Sequence, residues 1–222
     1  SARVVDLVGT PYALGSVVDW KPKQFQMPSL EMLTLHYMQW VAALEDDEAD
    51  AFIADWIEKN APYEPNYWCL GWNSYALSIR VVVWLQHFAR VGKQSSPVVA
   101  SSIADQLDFL VSNIETDILG NHLIKNVCAL LWGAACFQSP RGRRWKAVGE
   151  YWLAAQLDEQ VLLDGMHYER SPAYHCQVMG DLIDCHTALP DSALRRRLQE
   201  RIHAMARVVA LLTHPDGACS LF

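Results

Sequence analysis

The 222-residue chain has no apolar run long enough to span a bilayer without a charge or turn signal, so no membrane-embedded helix is expected. It lacks a positive balance as well. Its 18 Lys and Arg stand against 25 Asp and Glu, a formal charge of −7, which excludes a general nucleic-acid binder. A local group of Arg, His and amide side chains can still outweigh that sign at contact distance. The six cysteines (Cys69, Cys128, Cys136, Cys176, Cys185 and Cys219) form no CxxC pair and no zinc-like spacing with histidine. Neither a structural metal nor a disulfide-rich scaffold is expected. Cys128 and Cys136 lie in an apolar stretch and read as small buried hydrophobes. No repeat of roughly 20–50 residues is written in the sequence, which argues against a consensus solenoid. No signal peptide is visible; because the chain starts at Ser1, that says nothing of its compartment.

Strand signals are equally scarce. The β-branched "RVVVWL" (80–85) sits in phase with Leu77, Trp84 and Phe88 and reads as helix. What is abundant is hydrophobic residues, 51% of the chain, enough for one domain or two small ones. Residues 1–28, with Pro11, Pro22 and Pro28, read as an irregular lead-in. Ser29 caps a helix whose Leu30, Leu33, Tyr37, Trp40, Val41 and Leu44 share a face. Asp47 and Glu48 open a second, carrying Phe52, Ile53, Trp56 and Ile57. After a loop at 60–71, helices are predicted near 73–92, 97–118, 122–137, 143–163, 172–188 and 191–213. "DGMHYERSP" (164–172) is the one extended segment. The chain is therefore predicted to be all-α, with antiparallel helix pairs joined by short turns; periodicity does not separate an irregular bundle from an α/α toroid.

Groups capable of chemistry gather in four segments at helix starts or in loops. In "LHYMQW" (35–40), His36, Tyr37 and Trp40 form either a packing face or a ligand platform. In "WNSYALSIR" (72–80), Trp72 and Tyr75 precede Arg80, which within an apolar helix needs an acidic partner or an anion. In "GNHLIKN" (120–126), Gly120 ends one helix; Asn121 is either the N-cap of the next or, with His122, offers polar groups to an anion at the helix start. In "DGMHYERSPAYH" (164–175), an extended chain would point His167, Glu169 and Ser171 one way and Tyr168 and Arg170 the other. Tyr174 and His175 follow in the first turn after Ser171-Pro172. A glycoside hydrolase would need two carboxylates about 5–10 Å apart. Only Glu169 lies inside a motif, with Asp164 a weak second.

These four segments, with "VDW" (18–20) and "HPDG" (214–217), occur in the order and at the separations found in the heparinase II/III family of polysaccharide lyases, which the chain resembles over nearly its whole length. The resemblance implies an incomplete α/α toroid over residues 29–213, with the cleft across one mouth, and β-elimination of a uronic-acid-containing polysaccharide such as heparan sulfate or alginate. It implies that Asn121 neutralises the substrate carboxylate, that Tyr174 is the catalytic tyrosine and that His122 shares the acid–base work. His36, Tyr37, Trp40, Trp72, Tyr75, Arg80, His167, Tyr168, Glu169 and His175 would shape the substrate cleft. No metal or other cofactor is implied. The partners implied are an acidic polysaccharide and a C-terminal β-sandwich domain, with residues 214–222 the start of the connection to it; the ending on "CSLF" reads as a fragment of a longer chain. A periplasmic or secreted site of action goes with that substrate. The basic runs "RGRR" (141–144) and "RRR" (195–197) lie outside the motifs, so a uronic-acid polymer with little sulfate is expected. A toroid hydrolase or a non-catalytic module that binds acidic glycans are the alternatives.

Overall fold

Alternation of inward apolar and outward residues, hidden by Pro11, organises the start of the chain. In the computed structural model, which describes residues 3–15, 17–25 and 28–220, β1 (Arg3–Leu7) and β2 (Thr10–Leu14) pair antiparallel with Leu7 opposite Thr10. Val5, Leu7, Tyr12 and Leu14 turn inward and Val4 outward. The two-residue turn has positive φ at Val8 and Gly9, and the Gly9 N–H donates to Asp6 Oδ1 (2.9 Å). The expected irregular lead-in is thus corrected to a hairpin. Pro11 is tolerated because a two-stranded ribbon leaves its missing N–H on an edge.

The chain divides into two compact units, Ser1–Leu110 and Val111–Phe222. In the first, Ser29 caps α1 (Leu30–Tyr37) as expected, its Oγ accepting from the Met32 N–H. The helix is shorter than its apolar pattern: Met38 takes a left-handed conformation (φ 55°), and a 3₁₀ turn over Gln39–Ala43 carries the rest. α2 (Asp46–Lys59) follows, with acidic residues in its first turn. Asn73 caps α3 (Ser74–Val91) by accepting from the Tyr75 and Ala76 N–H groups, and the β-branched run inside α3 is helical. α4 (Pro97–Ser112) stops six residues short of its expected end at 118.

The core of this unit is built around a buried cation. The Arg80 guanidinium donates to Gln106 Oε1 from Nε and one terminal nitrogen (3.0 and 2.7 Å), to the Gly71 carbonyl (2.7 Å) and to the His36 carbonyl (3.0 Å). It lies 3.8 Å from the centroid of the Trp56 ring. His36 is held from both sides: Nδ1 accepts from the Trp56 indole N–H and Nε2 donates to the Trp20 carbonyl, each at 3.0 Å. The acid or anion expected beside Arg80 is replaced by carbonyl oxygens, one amide and an aromatic face.

In the second unit, α5 (Gly120–Cys136) packs on α6 (Pro140–Gln160) and α7 (Pro172–Ala188), and α8 (Ala193–Leu212) packs on α7 and α6. Leu123, Val127, Leu130, Trp145, Leu153, Val178, Leu182 and Met205 are fully buried, the 3.6-residue stripes of four helices meeting. Across α5 and α7, Lys125 pairs with Asp181, both largely buried. Burial pushes the Asp181 carboxyl up, and the Lys125 ammonium opposes that. Lys125→Met is therefore expected to cost about 3–5 kcal/mol, because it strands a carboxylate in the interior. A second change, Asp181→Leu, is expected to restore most of the loss; denaturant unfolding of the single and double variants checks this.

After α8 the chain turns back. The Gly217 N–H donates to the His214 carbonyl (2.9 Å), Thr213 and Cys219 form an antiparallel bridge, and Ser220 donates to the Leu212 carbonyl from its N–H and Oγ. "HPDG" is the turn of this small hairpin, and Leu221 and Phe222, the end of "CSLF", lie outside the described residues. Among the described residues no helix is long and apolar enough to cross a membrane.

Candidate functional site

The start of α5 determines what Asn121 can do. Asn121 does not cap the helix: helical geometry begins one residue earlier, at Gly120, and the N-cap position is Leu119, at φ 62° with no side-chain cap. The amide is left out of capping and stands in the first turn, where backbone N–H groups and the helix dipole favour negative charge. Gly120 is required twice over. Its φ is +55°, and a Cβ there would lie 2.7 Å from Glu169 Oε1 and 3.3 Å from the Tyr168 hydroxyl. Tyr168 and Glu169 therefore close over the same helix start. Tyr168 is pushed up by burial and by the neighbouring Glu169 and Glu159 carboxylates.

His122 is oriented by a residue the motifs did not single out. Its Nδ1–H donates to Glu115 Oε1 (3.0 Å), while the other carboxylate oxygen accepts from the Asn126 amide (2.9 Å) and the Glu115 N–H donates to Asn126 Oδ1 (2.9 Å). A proton on Nδ1 makes Nε2 the basic nitrogen of the neutral ring. This is the arrangement by which a carboxylate sets the tautomer of a working histidine.

A chain of buried polar groups joins this helix start to the next one. Gln160 donates to the Gly120 carbonyl (2.9 Å), His167 Nε2–H donates to Gln160 Oε1 (3.0 Å), and the His167 N–H donates to His175 Nδ1 (3.1 Å). His175 Nε2–H ends the chain on the Met205 carbonyl (3.0 Å). His167 and His175 are fully buried. Their hydrogen bonds hold the frame between the two helix starts. Because His175 follows Tyr174 and Gly120 precedes Asn121, the first turns of α5 and α7 are brought to one end of the unit. Ser171 Oγ accepts from the Tyr174 N–H, and the Tyr174 side chain is 43% exposed.

The extended reading of 164–172 is also corrected. The Gly165 N–H returns to the Leu162 carbonyl, Val161 bridges to His167, and the Arg170 N–H bonds the His167 carbonyl with Arg170 at φ 56°. This second turn breaks the expected alternation, so Tyr168 and Glu169 are both exposed while His167 is sealed.

The first-unit candidates are mostly internal. His36, Tyr37, Trp72 and Arg80 are buried, and His36 and Arg80 support the core through the hydrogen bonds described above. Trp72 donates to the Asn60 carbonyl (2.9 Å) and lines, with Trp56, Ser101 and Asp105, a cavity of about 360 Å³. Trp40 and Tyr75 are half-buried. Trp40 packs on Phe52 (ring centroids 5.3 Å) and Tyr75 on Tyr37 (5.9 Å). Besides Glu115, reasoning from motifs missed Gln106 and Gln160. The available signal was a glutamine interrupting an apolar helical stripe.

Burial and the Arg80 charge push His36 down to about 3, and burial with the neighbouring His175 pushes His167 down to about 4. Both rings are neutral when folded and protonate near 6.5 when unfolded. Their contribution to stability is thus complete above pH 6.5 and is lost as the pH falls towards 4 and then 3. The unfolding midpoint is expected to drop across that window, and less steeply in His167→Gln; equal slopes for wild type and variant would contradict this.

Among the described residues no group of three or more His, Cys, Asp and Glu could hold a metal ion. The site offers an amide at a helix start, a carboxylate-oriented imidazole and an accessible phenol. These are the parts needed to take a proton alpha to a carboxylate and hand one to a leaving oxygen.

Comparison with known proteins gives the family and the fold. The family model described as heparinase II/III N-terminus matches residues 12–222. A heparin-sulfate lyase of Bacteroides thetaiotaomicron is 25% identical over 173 residues, covering 73% of this chain and 24% of that protein. The crystal structure of a heparinase III superposes with a TM-score of 0.73 at 22% identity, over 94% of this chain and 36% of that one. Heparan sulfate lyase HepC from Pedobacter heparinus gives 0.70 at 19%, over 96% and 37%. At those identities the two structures speak to the fold alone, which is mostly helical and that of the N-terminal region of heparinases. This chain spans about a quarter of the length of the curated relative and just over a third of the solved ones.

Proposed function

We propose, from the premise that this chain belongs to the heparinase II/III family, that it forms the helical part of a lyase that cleaves a uronic-acid-containing polysaccharide by β-elimination. The observation that carries the reading is the Gln160–His167–His175 chain, which ties the helix start bearing Asn121 to the one bearing Tyr174.

Elimination removes a weakly acidic proton beside the uronate carboxylate, and the charge building on that carboxylate is the main barrier. Asn121 donates to it from the first turn of α5, where the helix dipole adds to the effect. His122, with Nδ1–H held by Glu115, offers Nε2 as the base. Tyr174 returns a proton to the leaving glycosidic oxygen from its exposed phenol. Glu169 and Tyr168 border the acid-binding position and limit what can enter over Gly120.

The basic run at 195–197 is engaged elsewhere. Arg197 pairs with Asp158, Arg196 with Asp191, and Arg195 donates to the His186 carbonyl. That favours a polymer with few sulfates. The activity is proposed for the whole protein, with a C-terminal β-sandwich domain as partner, acting in the periplasm or outside the cell, where such polymers are met.

The test is the ultraviolet absorbance of the unsaturated uronate that elimination creates, measured with the full-length protein on uronate polymers of graded sulfation. Growth of that absorbance supports the reading, and chain shortening without it overturns it. The second outcome would favour hydrolysis.

A further inference from the structure

Two thiols outside the polar site lie against each other. Cys176 stands in the second turn of α7, and Cys219 is the returning residue of the hairpin after α8; their sulfurs are 3.7 Å apart. Both side chains are half-buried, so a small reagent can reach them. α7 carries a second thiol, Cys185, which hydrogen-bonds Cys128 of α5, but that pair is sealed in the core. Cys136 is exposed and Cys69 half-buried, each in a different part of the chain. Of the two contacting pairs, only Cys176–Cys219 combines proximity with access.

We propose that Cys176 and Cys219 are a dithiol that closes to a disulfide by exchange with a low-molecular-weight disulfide, fastening the hairpin after α8 to the N-terminal half of α7. One protein thiolate attacks a sulfur of the reagent, forming a mixed disulfide and releasing one thiolate. The second protein thiolate attacks the protein-side sulfur and releases the other. Two protein thiols lose two electrons, one reagent disulfide gains them, and the two protons pass through solvent to the departing thiolates. Burial pushes the Cys176 thiol up, so closure is faster at alkaline pH. The two residues lie 43 positions apart, a loop long enough for the link to restrict the unfolded chain appreciably. The link also secures the helix whose first turn bears Tyr174.

The test uses the full-length protein treated with oxidised glutathione or with dithiothreitol, then alkylated with iodoacetamide in denaturant and mapped as peptides. Oxidation is expected to yield one cross-linked peptide joining Cys176 to Cys219, with Cys128 and Cys185 alkylated in both samples. The unfolding midpoint should rise by about 5–10 °C, revert with dithiothreitol, and not rise in Cys176→Ser or Cys219→Ser. Alkylation of both residues after oxidation, a separate glutathione on each, or a midpoint equal in the oxidised protein and the serine variants would overturn the proposal. This outcome is independent of whether the protein is a lyase.

Discussion

Asn121→Ala is expected to lower turnover of the full-length protein by about a hundred- to a thousandfold, the usual worth of one preorganised donor aimed at developing charge. The effect should fall on kcat more than on KM, because the substrate carboxylate is charged before reaction and takes up further charge only in the transition state. Folding should be almost untouched, since the Asn121 amide has no part in capping α5. Tyr174→Phe removes the phenol proton and should cost about a hundred- to ten-thousandfold. It too is a mild change for stability, as the ring is exposed and its backbone is held by Ser171. Initial rates of unsaturated product, with circular dichroism to confirm folding, measure both. Two variants that keep turnover within tenfold of wild type would remove these residues from the chemistry.

The second large effect concerns stability. Arg80→Met is expected to destabilise the first unit by about 3–5 kcal/mol. Two influences oppose each other. Removing a buried charge relieves desolvation, which already holds the Arg80 guanidinium well below its ordinary range. Against that, Gln106 Oε1 and the carbonyls of His36 and Gly71 lose their donor in a place water does not reach, at about 1–3 kcal/mol each. Three stranded acceptors outweigh one relieved charge. Arg80→Lys should recover little, because a single ammonium cannot meet three acceptors in the plane of a guanidinium. Denaturant unfolding decides the matter; an Arg80→Met midpoint equal to wild type would show that the acceptors find other partners.

Much of the architecture was legible because helices announce themselves by period. Ser29, the β-branched run of α3 and the starts of α7 and α8 fell within a few residues of their expected places. The hairpin at residues 3–14 was not, since each strand is only five residues long and Pro11 interrupts the second. For the site, "GNH" and "SPAYH" marked Asn121 and Tyr174, whose side chains do reach the surface. His36, Arg80, His167 and His175 looked the same in sequence but turned inward, because a period shows that residues share a face and not whether that face meets solvent or core. Glu115 and Gln160 stayed invisible for another reason. Their importance lies in which atoms they meet, His122 Nδ1 and the Gly120 carbonyl, and no spacing along the chain encodes that.

The sealed imidazole of His167 has one further consequence. Its Nε2–H donates to Gln160 Oε1, the residue's backbone N–H donates to His175 Nδ1, and Nδ1 is buried with no partner among the described residues. A ring so placed takes up its second proton only near pH 4. An inflection near neutrality in a plot of rate against acidity therefore does not come from this ring.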